Sequence, residues 1–327
     1  MLRSSYMYRN TKTFLMISCK PNLPASGFYA GIRPKTHRLP EATRVGKVRL
    51  AVSNLDRSVD FYTCVIGLAV LSEGMAGRER LVRLGVQGTA EVLLEVQEGA
   101  GVNSIARRTR LGLYHVAFLL PSRKGLASFV QHVSKRGVMF RSSDHLFSEA
   151  LYLTDPDGFS VEVYADRPRT QWAFDGQKEG REIVSAVAPL RFRELPWVPA
   201  GSWGGAPVGT TIGHVHLYVG DLEGARRFYH EGLGLDIMTW RYAGVLFAAA
   251  GGYHHHVGLN TWAAGSPAAT IEDARLLFWE LVLPSDEDVA EAKASLQRAG
   301  YVVGGTCSGR PAITDPWGIA VALVARA

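Results

Sequence analysis

The segment KVRLAVSNLDRSVDFYTCVIGLAVL, residues 47–71, recurs without a gap as HVHLYVGDLEGARRFYHEGLGLDIM, residues 214–238. The two copies start 167 residues apart and align Tyr62 with Tyr229. Similarity at a fixed spacing along one chain is typical of a fold built by internal duplication. This repeat therefore decides how the rest of the sequence is divided.

A second pair of segments extends the duplication. YHVAFLLPS ends at Ser122 and LFWELVLPS ends at Ser285, which is 163 residues later. Each is followed by a helical pattern and then by a D-P-x-G turn, at Asp155 and at Asp315. The sequence therefore predicts four related units, at about 44–101, 111–166, 211–263 and 275–326.

Each unit has the same order of predicted elements. An alternating apolar strand is followed by an amphipathic helix, a glycine stop and two or three further strands. A single βαβββ module of this kind leaves a sheet edge unpaired and half a core exposed, so we expect modules to pair. The predicted fold is α+β, with four βαβββ modules paired into curved mixed sheets whose concave face forms a pocket.

The predicted domain organisation follows from these units. We expect 1–43 to be a basic, disordered leader, 44–166 a first domain of two modules, 167–210 a linker, and 211–327 a second domain of two modules. The linker is rich in Pro, Gly and Trp and has no clear hydrophobic period, which is typical of a connecting segment.

Composition excludes several classes of protein. Of the 327 residues, 47% are hydrophobic and 20% are charged, which indicates a folded globular chain rather than a disordered one. The net charge of +6 comes from residues 1–40, which carry seven Lys or Arg and no acidic residue, so the remainder has 29 basic and 30 acidic side chains. The folded body has no excess charge for binding phosphates, and we expect no nucleic-acid partner.

Cysteine spacing and hydropathy bear on the compartment. Cys19, Cys64 and Cys307 match no metal or redox spacing, which favours a reducing compartment, and we expect a cytoplasmic protein. No apolar run approaches the roughly 18 residues needed to span a bilayer, so we expect no membrane partner.

Three longer strings carry a resemblance to a known family. They are GLYHVAFLLPSRK at 112–124, SEALYLTDPDGFSVEVYADRPR at 148–169 and GGYHHHVGLNTW at 251–262. With the repeated FY pair and the D-P-x-G turns, they resemble the vicinal oxygen chelate superfamily of glyoxalases, bleomycin resistance proteins and extradiol dioxygenases. More narrowly, they resemble its bacterial catechol 2,3-dioxygenase-type members, and the similarity covers about residues 40–326.

The resemblance implies that metal ligands lie on the first and last strands of a module. It places ligands at His115, Glu162 and His214. Two imidazoles and one carboxylate on one face of Fe(II) leave three coordination positions open, which is enough for both oxygens of a catecholate and for O2. Mn(II) can replace iron in such a site.

Each ligand also has a structural interpretation. A lone histidine on an apolar strand is more often a core residue than a ligand. His216 shares a face with His214 and is a rival ligand. Glu162 lies in an apolar strand, where an unpaired carboxylate is costly without a cation, and this favours a metal.

The first and fourth units lack the ligand set. They carry Lys47, Phe278 and Ala322 where the other units carry ligands, and we expect Glu95 to be a solvated or structural carboxylate. One site per chain is therefore expected, assembled from the second and third units. The sequence leaves open whether those units meet within one chain or across a homodimer.

The resemblance also implies catalytic residues. Within the histidine tract 254–256, His256 best matches an acid–base residue, while a role for His254 or His256 as a ligand stays open. Tyr152 matches a substrate-facing tyrosine, with a buried aromatic as the alternative. His145 resembles a second pocket histidine.

The resulting expectation is an Fe(II)-dependent extradiol dioxygenase that cleaves catechol or a substituted catechol with O2. A glyoxalase-type metal-dependent lyase or isomerase is the nearest alternative, and a metal-free protein that sequesters a small molecule is another. The ring substituents, the choice between Fe and Mn, and the role of residues 1–40 are not determined by the sequence.

Overall fold

A computed structural model describes residues 30–175, 180–307 and 310–326 of the chain. The first module contains β1 (Arg44–Val52), α1 (Leu55–Asp60) with a π-helical continuation (Phe61–Val65), β2 (Ala69–Ala76), β3 (Glu79–Gly85) and β4 (Val92–Glu98). The second contains β5 (Gly112–Leu119), α2 (Arg123–Lys135), β6 (Arg141–Asp144), β7 (Ser148–Thr154) and β8 (Ser160–Asp166).

The segment between the halves carries only short elements. They are two 3-10 turns (Arg169–Gln171 and Phe192–Glu194) and the strands β9 (Phe174–Asp175) and β10 (Glu182–Ile183). The third module contains β11 (Thr211–Tyr218), α3 (Leu222–Ala225) with a π-helical continuation (Arg226–Gly232), β12 (Asp236–Thr239), β13 (Val245–Ala249) and β14 (Val257–Asn260). The fourth contains β15 (Arg275–Leu283), α4 (Asp286–Arg298), β16 (Gly305–Cys307), β17 (Arg310–Thr314) and β18 (Ala320–Ala325).

Equivalent side chains start the helices in corresponding modules. Asn54 accepts a hydrogen bond from the backbone N–H of Arg57 ahead of α1, and Asp221 does the same for Gly224 ahead of α3. Such caps satisfy backbone donors that the first helical turn leaves free. The duplication seen in the sequence is therefore also a duplication of local structure.

The modules pair into two eight-stranded sheets, first with fourth and second with third. The strand orders are β16-β17-β18-β15-β1-β4-β3-β2 and β12-β13-β14-β11-β5-β8-β7-β6. At the centre of each sheet the first strands of two modules run antiparallel, β1 against β15 and β5 against β11. The predicted fold class is confirmed. Each sheet combines one module from 44–166 with one from 211–327. The predicted domains 44–166 and 211–327 therefore do not correspond to the two sheets, and the domain boundaries stay a proposal.

One contiguous apolar core includes strand residues from both sheets together with the helices. Val116 and Val215 belong to this core, and they alternate along β5 and β11 with His115 and His214. Because side chains alternate across a strand, the histidines face the other side of the sheet.

Both D-P-x-G turns are tied to the preceding module by a tyrosine. Tyr62 donates a 2.9 Å hydrogen bond to Asp155, and Tyr229 donates a 2.9 Å hydrogen bond to Asp315. The other carboxylate oxygen of each aspartate accepts two backbone N–H groups of its own turn. The turns predicted at Asp155 and Asp315 are present, and both aspartates have structural roles in them.

The predicted basic leader needs a correction where the structure describes it. Residues 1–29 lie outside the described residues, but 30–43 are not a disordered arm. Arg38 donates to both carboxylate oxygens of Asp236, with the shortest contact at 2.7 Å, and Leu39 is part of the core. Asp236 is completely buried, so this carboxylate requires the cation that the leader supplies. Within the described ranges, no helix is both long enough and apolar enough to cross a membrane.

Candidate metal centre

The three predicted ligands converge on one point of the second sheet. His115 lies on β5, Glu162 on β8 and His214 on β11, and these strands are neighbours. The Oε2 atom of Glu162 lies 3.0 Å from His115 Nε2 and 3.1 Å from His214 Nε2. The two Nε2 atoms are 3.2 Å apart. All three side chains come from one chain.

This triangle fits a metal ion. Ligand atoms about 2.1 Å from an ion on adjacent octahedral corners lie about 3.0 Å apart. Two imidazole nitrogens and one carboxylate oxygen on a single face are the ligand set typical of non-haem Fe(II) oxygenases. Glu162 is nearly fully buried, so the ion would also supply the positive charge that a carboxylate needs there.

The protonation states suit the same role. Burial lowers the pKa of His214 to about 4, against the opposing effect of Glu162. Burial alone raises the pKa of the Glu162 carboxyl, but the contacts with His214 and His115 outweigh it and hold that pKa well below its ordinary value. A neutral imidazole and an ionised carboxylate are the forms that bind metals.

A tyrosine pair orients His214. The Tyr164 hydroxyl lies 3.3 Å from His214 Nδ1 and 2.7 Å from the Tyr253 hydroxyl. Because His214 Nε2 faces Glu162 and His115, the ring proton is on Nδ1, and this N–H donates a hydrogen bond to the Tyr164 hydroxyl oxygen. A side chain at Gly213 would overlap the Tyr164 hydroxyl, so this arrangement requires glycine beside the ligand.

A cavity of about 620 Å³ lies against the ligands. Its wall includes His115 and Glu162 together with predominantly apolar and aromatic residues. The segment that connects the halves also contributes to this wall through Ser185, Ala186 and Val187. The cavity is therefore large enough for a small aromatic molecule beside the metal position.

Tyr152 and His145 form a hydrogen-bonded pair in the cavity wall. The carbonyl oxygen of Ala186 lies 2.8 Å from His145 Nδ1, and it can only accept a hydrogen bond. His145 Nδ1 is therefore the donor, which leaves Nε2 to accept from the Tyr152 hydroxyl at 2.7 Å. Burial lowers the pKa of His145 and raises that of Tyr152 well above its ordinary value, so the pair is neutral.

His255 also lines this cavity, and two further residues hold it. Asp166 lies 3.0 Å from His254 Nε2, and His254 Nδ1 lies 2.8 Å from His255 Nδ1. The Asp166 carboxylate can only accept, so His254 Nε2–H donates a hydrogen bond to it. His254 Nδ1 then accepts a hydrogen bond from His255 Nδ1–H. The free lone pair of His255 is therefore on Nε2. The His255 ring lies 4.1 Å from the ring of His214.

His256 does not reach the cavity. Its Nδ1 accepts a hydrogen bond from the backbone N–H of Ala250, and its ring stacks on Tyr253. β14 begins at Val257, so the histidine tract precedes the strand and does not follow strand alternation. Among the described residues, His255 and not His256 lines the cavity.

His254 and His216, which were alternative ligand candidates, lie outside the triangle of His115, Glu162 and His214. His254 belongs to a second group of metal-capable atoms with His214 and His255, but both of its ring nitrogens are already hydrogen-bonded. His216 lines the cavity, and its buried Nε2 has no hydrogen-bond partner among the described residues. It is therefore available to a bound molecule. A side chain at Gly258 would press against the ring of His216.

Comparison with known proteins agrees with this geometry. A model of the Glyoxalase/Bleomycin resistance protein/Dioxygenase superfamily matches residues 44–163 and 211–323. The chain belongs to this superfamily.

Relatives within the superfamily narrow the comparison. The chain is 38% identical over 266 residues to the Catechol-2,3-dioxygenase of Bacillus subtilis (strain 168), which covers 80% of this chain and 90% of the relative. The predicted resemblance to catechol 2,3-dioxygenase-type members is confirmed. Together with the superfamily match, it supports a dioxygenase-like enzyme.

Solved structures support the fold. A crystal structure from Bacillus subtilis, of a protein named only provisionally as a dioxygenase, has a TM-score of 0.59 at 13% identity and covers 88% of this chain and 86% of that one. Glyoxalase I from Zea mays has a TM-score of 0.51 at 18% identity, with 87% and 92% covered. Members of the superfamily bind a divalent metal, and the His/Glu cluster is a candidate site for one.

The other sheet of this superfamily fold has salt bridges where the second sheet has its ligands. Glu95 is completely buried, with Arg49 at 2.6 Å, Arg83 at 3.3 Å and Lys47 at 3.5 Å. Lys47 also lies 3.6 Å from Glu280. Glu95 is thus a structural carboxylate rather than a solvated one, and cationic side chains compensate its charge.

Three features of the site were not predicted from the sequence. They are the orienting residues Tyr164 and Asp166, the wall formed by 185–187, and Arg107 beside the cavity. The alternation of β8 placed Tyr164 on the face of Glu162, and this was the one available signal for it.

Proposed function

We propose that the chain is an Fe(II)-dependent extradiol dioxygenase that cleaves the ring of catechol or a substituted catechol with O2. His115, Glu162 and His214 would hold the iron, and Mn(II) can replace it. The observation that carries the proposal is the triangle of three ligand atoms beside a cavity that admits an aromatic ring. The 38% identical relative supports the same reaction.

The ligand set determines the net charge of the metal-loaded site. Bound Fe(II) would supply open coordination positions for the two catechol oxygens and for O2. Glu162 contributes one negative charge and the two imidazoles none, so the site retains a net positive charge that attracts an anionic catecholate. The hydrogen bond from His214 to Tyr164 fixes the orientation of that ligand.

Tyr152 is proposed to position the substrate. Its proton is directed to His145, so the phenol oxygen has a lone pair that can accept from a substrate hydroxyl. His145 is held in turn by the Ala186 carbonyl. The pair therefore presents a fixed acceptor in the cavity, as a positioning group requires.

His255 is proposed as the acid–base residue. With Nδ1–H donated to His254, its Nε2 can accept a proton from a catechol hydroxyl and return it after ring opening. Asp166 stabilises the resulting charge through His254, and its side chain is 24% exposed. The chain of hydrogen bonds thus connects the cavity with the protein surface.

Oxygen uptake tests this function. Full-length protein reconstituted anaerobically with Fe(II) is expected to consume O2 and form a yellow product when catechol and air are added. Methylglyoxal with a thiol is the matched assay for the glyoxalase-type alternative. Turnover of that mixture without O2 consumption, and no uptake with any catechol, would contradict the proposal.

Cytoplasmic location and a homodimer stay predictions.

A further inference from the structure

Two neighbouring cavities have an arginine in common in their walls. Arg107 and Tyr114 line both the site cavity of about 620 Å³ and a neighbouring cavity of about 320 Å³. Glu162, the metal ligand candidate, is the one acidic residue among the described residues that line the larger cavity, and no acidic residue lines the smaller. Among the described residues, four arginines line the smaller cavity: Arg107, Arg108, Arg110 and Arg275.

The ring of Tyr114 lies between Arg107 and the candidate metal ligand His115. The register of β5 against β11 shifts at Tyr114, between Leu113 and His115. Such an irregularity can turn an extra side chain towards a site, and here the Tyr114 ring lies 4.7 Å from the ring of His115. Arg107 Nη2 donates to the Tyr114 hydroxyl at 3.1 Å, and its guanidinium lies 5.4 Å from the same ring.

The charge of Arg107 has no acidic partner. Arg110 is paired with Asp273 at 2.8 Å, and Arg275 donates to backbone carbonyls. Arg107 instead contacts neutral phenols, and it forms no ion pair with any of the residues that the structure describes. A cation fixed at a cavity wall without a counterion favours an anionic ligand.

We infer that Arg107 binds a carboxylate carried on the catechol ring, so that the preferred substrates are acid-substituted catechols. The planar guanidinium matches a carboxylate geometrically, and an unsubstituted catechol leaves most of the 620 Å³ cavity unfilled. The inference rests on the proposed function for the identity of the ring. The recognition of the anion rests on Arg107 alone.

Anaerobic binding separates this inference from catalysis. Fe(II)-loaded full-length protein is titrated by calorimetry, without O2, with protocatechuate, dihydrocaffeate and the primary amide of each. The two acids differ in the length of the carboxylate arm. For at least one arm, the acid is expected to bind about ten- to a hundred-fold more tightly than its amide, as for a hydrogen-bonded charge pair.

Variants assign the effect. Arg107→Gln is expected to reduce the ratio of acid to amide affinity to about one while changing amide affinity less than about two-fold, and Arg107→Lys is expected to retain part of it. Arg141→Gln is the matched control because Arg141 is the other arginine lining the larger cavity, and it should leave the ratio unchanged. An unchanged ratio in Arg107→Gln, a ratio lost in Arg141→Gln, or no preference in the wild type overturns the inference.

Oxygen uptake with the same four compounds tests the proposed function separately. Preference for the acids through Arg107, with no uptake for any compound, would contradict the dioxygenase and leave the carboxylate site standing. If oxygen is consumed with these compounds but each acid binds with the same affinity as its amide, the carboxylate site is overturned and the dioxygenase proposal stands.

Discussion

Asp166 Oδ1 lies 3.0 Å from His254 Nε2, and His254 in turn holds His255 at the wall of the cavity. This contact fixes which ring nitrogen of each histidine carries a proton. It also connects the partly exposed end of β8 with the proposed acid–base residue. The orientation of His255 thus depends on the Asp166 carboxylate, which contacts neither the candidate metal ligands nor the cavity.

Replacing Asp166 tests this dependence. Asp166→Ala is expected to reduce kcat about ten- to a hundred-fold, since His255 loses its fixed orientation. Asp166→Asn should lose less because the amide oxygen can still accept from His254. Iron content should remain that of the wild type in both variants. An unchanged kcat in Asp166→Ala, or loss of iron in step with activity, would argue against a positioning role.

His255 and His256 offer a matched pair of substitutions. His255→Gln is expected to lower kcat about a hundred- to ten-thousand-fold, the range for loss of an acid–base group. His256→Gln, which removes a ring that contacts Ala250 and Tyr253, should retain most of the activity of the folded protein. Steady-state oxygen uptake, with thermal unfolding as the check on folding, distinguishes them. The opposite ranking would restore His256 as the acid–base residue.

Features of the site that depend on local sequence could be predicted, whereas features that depend on long-range packing could not. The modules and the ligands His115, Glu162 and His214 were predicted from repeated motifs and a family resemblance, and the structure brings those ligands together. The pairing of the first module with the fourth was not predicted, because strand partners are chosen by packing across the whole chain. His256 was matched through the family resemblance, whereas the structure places His255 in the cavity wall, in the tract that precedes β14. The role of Glu95 depends on Arg49 and Lys47, which lie on a different strand and were not predicted as its partners.

Asp155 gives stability a pH dependence. Burial raises the pKa of Asp155 to about 7 in the folded chain, from an ordinary value near 3.8. The folded state therefore binds the proton more tightly than the unfolded state, and the free energy of unfolding falls as pH rises from about 4 to about 7. Asp155→Asn imitates the protonated carboxyl and should flatten this slope. Denaturant unfolding at several pH values measures it, and equal slopes for the two proteins would refute the assignment.

Glu95 tests whether the first sheet is structural. Glu95→Gln removes the buried carboxylate beside Arg49, Lys47 and Arg83, so we expect the free energy of unfolding to fall by about 3–5 kcal/mol. The remaining folded protein should bind iron and consume O2 as the wild type does. Loss of iron binding in this variant would mean that the first sheet also holds metal.

Iron stoichiometry tests whether His115, Glu162 and His214 form one metal centre per chain. Protein incubated anaerobically with Fe(II) and then dialysed is analysed for iron, with Glu95→Gln as the buried-carboxylate control for Glu162→Ala. We expect one iron per chain in the wild type and in Glu95→Gln, and none retained in Glu162→Ala. Iron retained by Glu162→Ala at the wild-type level would contradict a metal centre built from His115, Glu162 and His214.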